Sequence, residues 1–206
     1  LASVLRALEN LGRYQDEVAV NINTVINRFN CDHLDESARF FAARFPFISH
    51  FVWNNLDPSM GRAEADRDTA HRLRDMEVSL NRAMRFLDEK LITFRVERVP
   101  LCFMTEFAHF STETRKIVKR EERIVHFLDE KGTIRQTDFR HHKADVCAHC
   151  SVDSICAGLF DLGDWYDPAE LAPVFVDKKA IVRKVRGKAA GAGSRPDPAL
   201  GAHRGP

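Results

Sequence analysis

The run Val18-Ala-Val-Asn-Ile-Asn-Thr-Val-Ile26 is dense in β-branched residues. Its alternation puts Val20, Ile22, Thr24 and Ile26 on one face and Asn21 and Asn23 on the other. A strand with one apolar face and one amide-bearing face suits a barrel wall, with helices outside and a polar lumen inside. Working outward, Val4, Leu5, Leu8 and Leu11 stand at helical spacing and Gly12 offers a stop. Downstream, Asp32 is placed to cap a helix carrying Leu34, Ala38, Phe41 and Phe45, which Pro46 closes. Phe47 to Trp53 is a second strand, running into the turn-forming stretch Asn54-Asn55-Leu56-Asp57-Pro58-Ser59-Met60-Gly61-Arg62. From about Thr69 to Glu89, Leu73, Met76, Leu80, Met84 and Leu87 line one side of a long amphipathic helix. Ile92 to Val99 is a third strand and ends at Pro100-Leu101-Cys102. Three strands separated by two helices imply parallel strands joined by crossover helices. Residues 1–100 are therefore expected to form half of an α/β barrel.

After Cys102 the texture changes. Two extended runs flank Asp129-Glu-Lys-Gly132 within residues 121–139, a hairpin signal. A cysteine-bearing segment follows at 147–156, then a short helix is expected from Val152 to Leu162 and another starting at Pro168. Residues 101–185 read as a small hairpin and helix extension. From 186 to 206 the composition is Gly, Ala, Pro and Arg without periodicity, which predicts a disordered tail.

The chain's 206 residues carry 31 Lys and Arg against 30 Asp and Glu, a formal charge of +1. That balance lacks the basic surplus of a general nucleic-acid coat, so no nucleic-acid partner is expected. An apolar fraction of 44% with 30% charged residues describes a chain able to build a core. Its apolar runs fall far short of the roughly 20 residues that cross a bilayer, and no signal segment opens it. A cytoplasmic protein without membrane contact is the expectation. Leu1 falls inside an amphipathic pattern, so the sequence reads as the C-terminal part of a longer protein.

The sharpest chemical feature is Cys147-Ala-His-Cys150-Ser-Val-Asp-Ser-Ile-Cys156, a CxxCxxxxxC run. An odd count of five cysteines without an export signal favours thiolate ligands over disulfides. Two thiols two residues apart can face one ion across a turn, Cys156 can close a third side, and Cys102 can supply a fourth. Four soft ligands satisfy either tetrahedral zinc or a [4Fe–4S] cluster, and spacing leaves both open, as it does metal-free thiols. His149 reads as an exposed turn residue, and Cys31 as a small buried hydrophobe. His141 and His142 point to opposite faces of an extended segment, and the alternating charges of 115–123 suit a solvated face.

The cysteine run with its preceding hairpin, Gly158 two residues beyond Cys156, and the strand Asn23-Thr-Val-Ile-Asn27 resemble the C-terminal part of a radical S-adenosylmethionine (SAM) enzyme. The cysteine segment is similar to the auxiliary-cluster extension called SPASM or, in shortened form, twitch. SPASM continues with a cysteine four positions on, where this chain has Phe160, and that departure implies one auxiliary cluster rather than two. The resemblance implies the C-terminal half of a partial (β/α)6 TIM-like barrel with an auxiliary [4Fe–4S] cluster on Cys102, Cys147, Cys150 and Cys156. It also implies SAM and a second [4Fe–4S] cluster in the full-length protein, held by a CxxxCxxC motif that these residues lack. Asn21, Asn23, Asn54 and Asn55, at strand ends, are the positions it offers for SAM contacts, with turn capping as their ordinary role. The implied partners are a small-molecule or peptide substrate, from which a 5′-deoxyadenosyl radical takes hydrogen, and a reductant such as flavodoxin or ferredoxin. The alternative from another class is a non-catalytic interaction domain stabilised by zinc on the same four cysteines.

Overall fold

The computed structural model describes residues 1–57, 65–126, 132–160 and 165–187. Its first half is a three-stranded parallel sheet in the order β1 (Val20–Ile26), β2 (Ile48–Asn55), β3 (Thr93–Glu97). Helices α1 (Ala2–Leu11), α2 (Leu34–Arg44) and α3 (Leu73–Glu89) accompany it. The expected alternation of strands and crossover helices is present. Among the described residues the sheet stays open and does not close into a barrel.

Register explains the two faces. Ile22, Phe51 and Phe94 lie side by side across the sheet, as do Thr24, Trp53 and Val96. Phe51, Trp53, Phe94 and Val96 are almost fully buried. The covering helix α3 buries Leu73, Met76, Leu80, Ala83, Met84 and Leu87, a stripe at steps of three and four residues. Burying such side chains stabilises by about 1.5 to 3 kcal/mol each, which makes this interface the main source of cohesion. The opposite face carries Asn21, Asn23, His50, Asn54, Thr93, Arg95 and Glu97 with Val25 and Val52 among them, and is mostly polar.

Some boundaries differ from the sequence reading. The residues after Thr69 stay outside α3, which begins at Leu73, and a 3-10 turn occupies Arg67–Thr69. Asp32 does not cap α2: the cap position is His33, and the Asp32 carboxylate instead meets His33 Nδ1 at 2.6 Å. Cys31 is buried, as expected, and its carbonyl accepts a hydrogen bond from the Ser79 hydroxyl of α3.

The second half has little regular structure. Helix α4 (Thr112–Lys119) is capped by Ser111, whose hydroxyl oxygen accepts from the Thr114 N–H. The hairpin pairs β4 (Arg123–His126) with β5 (Thr133–Gln136); residues 127–131 of its turn lie outside the described residues. Helix α5 (Lys178–Val185) is capped by Asp177. Of the helix expected from Val152 to Leu162, residues 161–162 lie outside the described residues and the rest is a 3-10 turn at Asp153–Ile155, after which Cys156 is extended (φ −90, ψ 135). The helix expected from Pro168 is only a 3-10 turn, Pro168–Glu170, capped by Asp167. The loop positions 58–62 and the tail from 188 onward fall outside the described residues. Among the described residues no helix is long and apolar enough to cross a membrane.

Candidate metal centre

Cys102 sits on the 3-10 turn Leu101–Phe103 directly after β3, where Pro100 bends the chain off the sheet. Cys147 and Cys150 lie at the end of the turn Asp145–His149, closed by a hydrogen bond from Cys150 N–H to the Cys147 carbonyl (3.0 Å). Cys156 ends the next turn, its N–H on the Val152 carbonyl (3.0 Å). All four thiols line one small cavity of about 20 Å³. Val152 and Leu171 form apolar wall, and Lys143 and Asp153 are its charged members. Every cysteine of the described residues is a free thiol.

Several bonds hold the rim. Gly158 N–H donates to Cys156 Sγ (3.3 Å) and Val174 N–H to Cys150 Sγ (3.4 Å). Ser151 N–H reaches the Val174 carbonyl (3.0 Å), and Ser151 Oγ accepts from Val176 N–H (2.9 Å). The Thr114 hydroxyl of α4 donates to the Ile155 carbonyl (2.9 Å), which ties the turn before Cys156 to α4. His142 and Leu159 exchange backbone hydrogen bonds (3.0 and 2.8 Å). Gly158 has φ +94, and a Cβ there would collide with the His142 carbonyl oxygen, so only glycine passes under this bridge.

Burial pushes the Cys102 thiol up to about 11, the nearby Cys156 and Cys147 adding to it against a backbone hydrogen bond from Ala172. Burial also raises Cys156, with Lys143 pulling the other way. A buried thiolate needs a cationic partner, and metal ligation supplies one. Among the described residues no three His, Cys, Asp or Glu side chains come close enough together to hold one metal ion. The four sulfurs thus border a shared space without closing around a point. His149 is exposed, and Phe160, standing where a further cysteine would continue the SPASM pattern, packs between the His141 ring (4.8 Å) and the Arg98 guanidinium (4.6 Å).

The asparagines do not act as one set. Asn21, Asn23 and Asn54 share the polar face, where Asn54 Nδ2 donates to Glu97 Oε2 (3.0 Å) and Asn21 Oδ1 accepts from the Ser49 hydroxyl (3.2 Å). Asn55 lies apart from the other three. Strand β2 continues through it, so alternation turns its side chain to the helix-covered face, where it is fully buried. There its Oδ1 accepts from the Tyr166 hydroxyl at 3.5 Å. Sequence reasoning missed Lys143 and Asp153. Their signal was position alone: Lys143 precedes Cys147 by four residues and Asp153 precedes Cys156 by three. Comparison with family models, curated proteins and solved structures finds no match to this chain.

Proposed function

We propose that this chain is the C-terminal part of a radical SAM enzyme, in which Cys102, Cys147, Cys150 and Cys156 hold an auxiliary [4Fe–4S] cluster. The observation that carries the reading is the meeting of four thiols, one of them 45 residues upstream of the others' run, at one cavity. Spacing leaves zinc and a cluster both open, and the resemblance is what favours the cluster. A tetrahedral zinc site with bonds of about 2.3 Å needs its sulfurs within about 3.8 Å of one another. N–H donors on the Cys156 and Cys150 sulfurs suit ligated thiolates. When bound, the cluster supplies a one-electron store.

The protein's own contribution is to hold the four thiols, wall them with Val152 and Leu171, and anchor the rim to α4 through Thr114. In this reading the sheet is the later part of a partial barrel. Its polar face, with Asn21, Asn23 and Asn54, faces the lumen where SAM and a small-molecule or peptide substrate bind, and flavodoxin or ferredoxin supplies electrons.

Anaerobic reconstitution with iron and sulfide tests the cluster. The expected product holds about four irons and four sulfides per chain with broad visible absorption. Cys102→Ser, Cys147→Ser, Cys150→Ser and Cys156→Ser each lower that content. Stoichiometric zinc in anaerobically purified wild-type protein, with no iron uptake, would establish the zinc-stabilised interaction domain instead. The full-length protein, carrying CxxxCxxC upstream, is expected to release 5′-deoxyadenosine from SAM on reduction.

A further inference from the structure

Helix α3 has a second side. Its apolar stripe covers the sheet, and on the flank turned away from that stripe Glu77 with Asn81 and Val78 with Arg82 form two ridges of i and i+4 neighbours. The 3-10 turns Leu101–Phe103 and Thr105–Phe110 run beside this flank, and between helix and turns lies an open groove of about 440 Å³. That volume falls within the range of about 300 to 1,000 Å³ usual for small-ligand clefts. Phe103 and Val78, the latter 60% exposed, give the groove apolar surface. Its charges are of both signs and unevenly used. Glu106 is held by Arg85 at 2.9 Å, whereas Glu77 and Arg82 have no ion pair among the described residues. The Asn81 amide is likewise without a hydrogen bond among the described residues. Five positions separate Glu77 from Arg82, about 7.5 Å along the helix at 1.5 Å per residue, so the two do not face each other and can hold opposite ends of one molecule.

We propose that this groove binds short zwitterionic peptides of two or three residues, the Glu77 carboxylate accepting from the N-terminal ammonium and the Arg82 guanidinium donating to the C-terminal carboxylate. The length follows from reach. An extended peptide advances about 3.3 to 3.6 Å per residue, so two or three residues set their termini as far apart as the two side chains stand. A free amino acid carries ammonium and carboxylate on one carbon and meets only one of the pair. The planar fork of a guanidinium suits a carboxylate, the Asn81 amide offers both a donor and an acceptor to the peptide's central amide, and Val78 and Phe103 offer contact to an apolar side chain. The groove lies on the helix-covered side of the sheet, away from the polar face, and shares only Cys102 with the thiol cavity. It therefore stands apart from the cluster reading.

The test is titration of the isotope-labelled chain with alanyl-leucine, followed by amide resonances. Saturable shifts are expected at residues 77–82 and 103–106, with affinity in the millimolar range because both charge contacts are open to water. Glu77→Gln and Arg82→Gln are each expected to weaken binding about fivefold, the upper worth of an exposed ion pair. Capped ligands leave the protein untouched and assign the two ends. N-acetylation should weaken binding to wild type and to Arg82→Gln but not to Glu77→Gln, and C-terminal amidation should weaken binding to wild type and to Glu77→Gln but not to Arg82→Gln. Free leucine should bind more weakly than the dipeptide. Absence of saturable shifts, shifts that map outside the groove, or equal binding of capped and free dipeptides overturns the proposal. Free leucine that binds as well as the dipeptide overturns it too, since the span between Glu77 and Arg82 would then play no part.

Discussion

The sheet region, residues 1–99, and the cysteine extension that follows it are held together in different ways. In the sheet region cohesion is burial: Leu73, Met76, Leu80, Met84 and Leu87 of α3 are fully buried over strands whose inner faces are aromatic and aliphatic. In the extension, Leu101, Met104, Leu159, Tyr166 and Val185 are buried in the same apolar cluster, and the turns around the thiol cavity are tied in addition by discrete polar bonds: Ser151 to 174–176, Thr114 to Ile155, Lys143 to the Asp153 and Cys156 carbonyls. The turns bearing the thiols are 3-10 pieces of three to five residues, too short to stand alone. A packed core tolerates no gap at its centre, whereas a shell of turns around an open space is what a bound inorganic core requires.

The largest expected effect lies in the sheet region. Leu80→Ala removes a fully buried side chain at the middle of α3 and is expected to lower global stability by about 2 to 5 kcal/mol. Urea unfolding followed by circular dichroism measures it as a lower midpoint at unchanged slope. Protein that remains folded should still load iron. A loss of iron content at full fold would mean that the two regions are not separately organised.

Gly158→Ala makes the complementary cut. The new methyl meets the His142 carbonyl oxygen at a backbone angle that disfavours it, so about 1 to 3 kcal/mol of strain falls on the extension alone. Hydrogen exchange at the His142 and Leu159 amides should speed by about tenfold or more while β1–β3 amides keep wild-type protection. Equal acceleration in both regions would erase the contrast between them.

How legible each region was follows from the same physics. The sheet's two faces were readable because strand alternation has period two: Ile22 and Ile26 against Asn21 and Asn23 came out as written. Asn55 was offered by the resemblance as a strand-end position together with Asn54, whereas the same alternation, carried two residues past Trp53, puts the two on opposite faces. The thiol trio is local in sequence, and Pro100 marked the turn bearing Cys102. Helix α4 was hidden in the charged stretch 115–123, since its buried side, Glu113 and Thr114, is polar and leaves no apolar stripe to find. Lys143 and Asp153 look like ordinary surface charges until folding brings them to one cavity wall, ten residues apart.

The smallest effect expected probes the seam between the regions. His71 is 5% exposed, its two ring nitrogens have no hydrogen-bond partner among the described residues, and its ring lies edge-on to Tyr166 (6.0 Å), which comes from the extension and whose hydroxyl donates to the Leu56 carbonyl (2.9 Å). Burial lowers its pKa to about 4, partly offset by Asp75, against an ordinary value near 6.5. The folded state therefore holds His71 neutral. Above pH 6.5 neither state is protonated and the residue adds no pH dependence. As pH falls from 6.5 toward 4 the unfolded chain takes up the proton first, so stability is lost across that window, by about 2 kcal/mol at pH 5. Glu113, raised by burial, runs the other way, because its protonation favours the folded state as pH falls. Only the difference between wild type and His71→Leu isolates the histidine. Thermal unfolding of both proteins at pH 7.5 and pH 5 measures it, and the wild type should lose more stability between the two than the variant. Parallel losses would mean that His71 is protonated in the folded seam, and the extension would then be docked on the sheet through a wetter contact than its burial indicates.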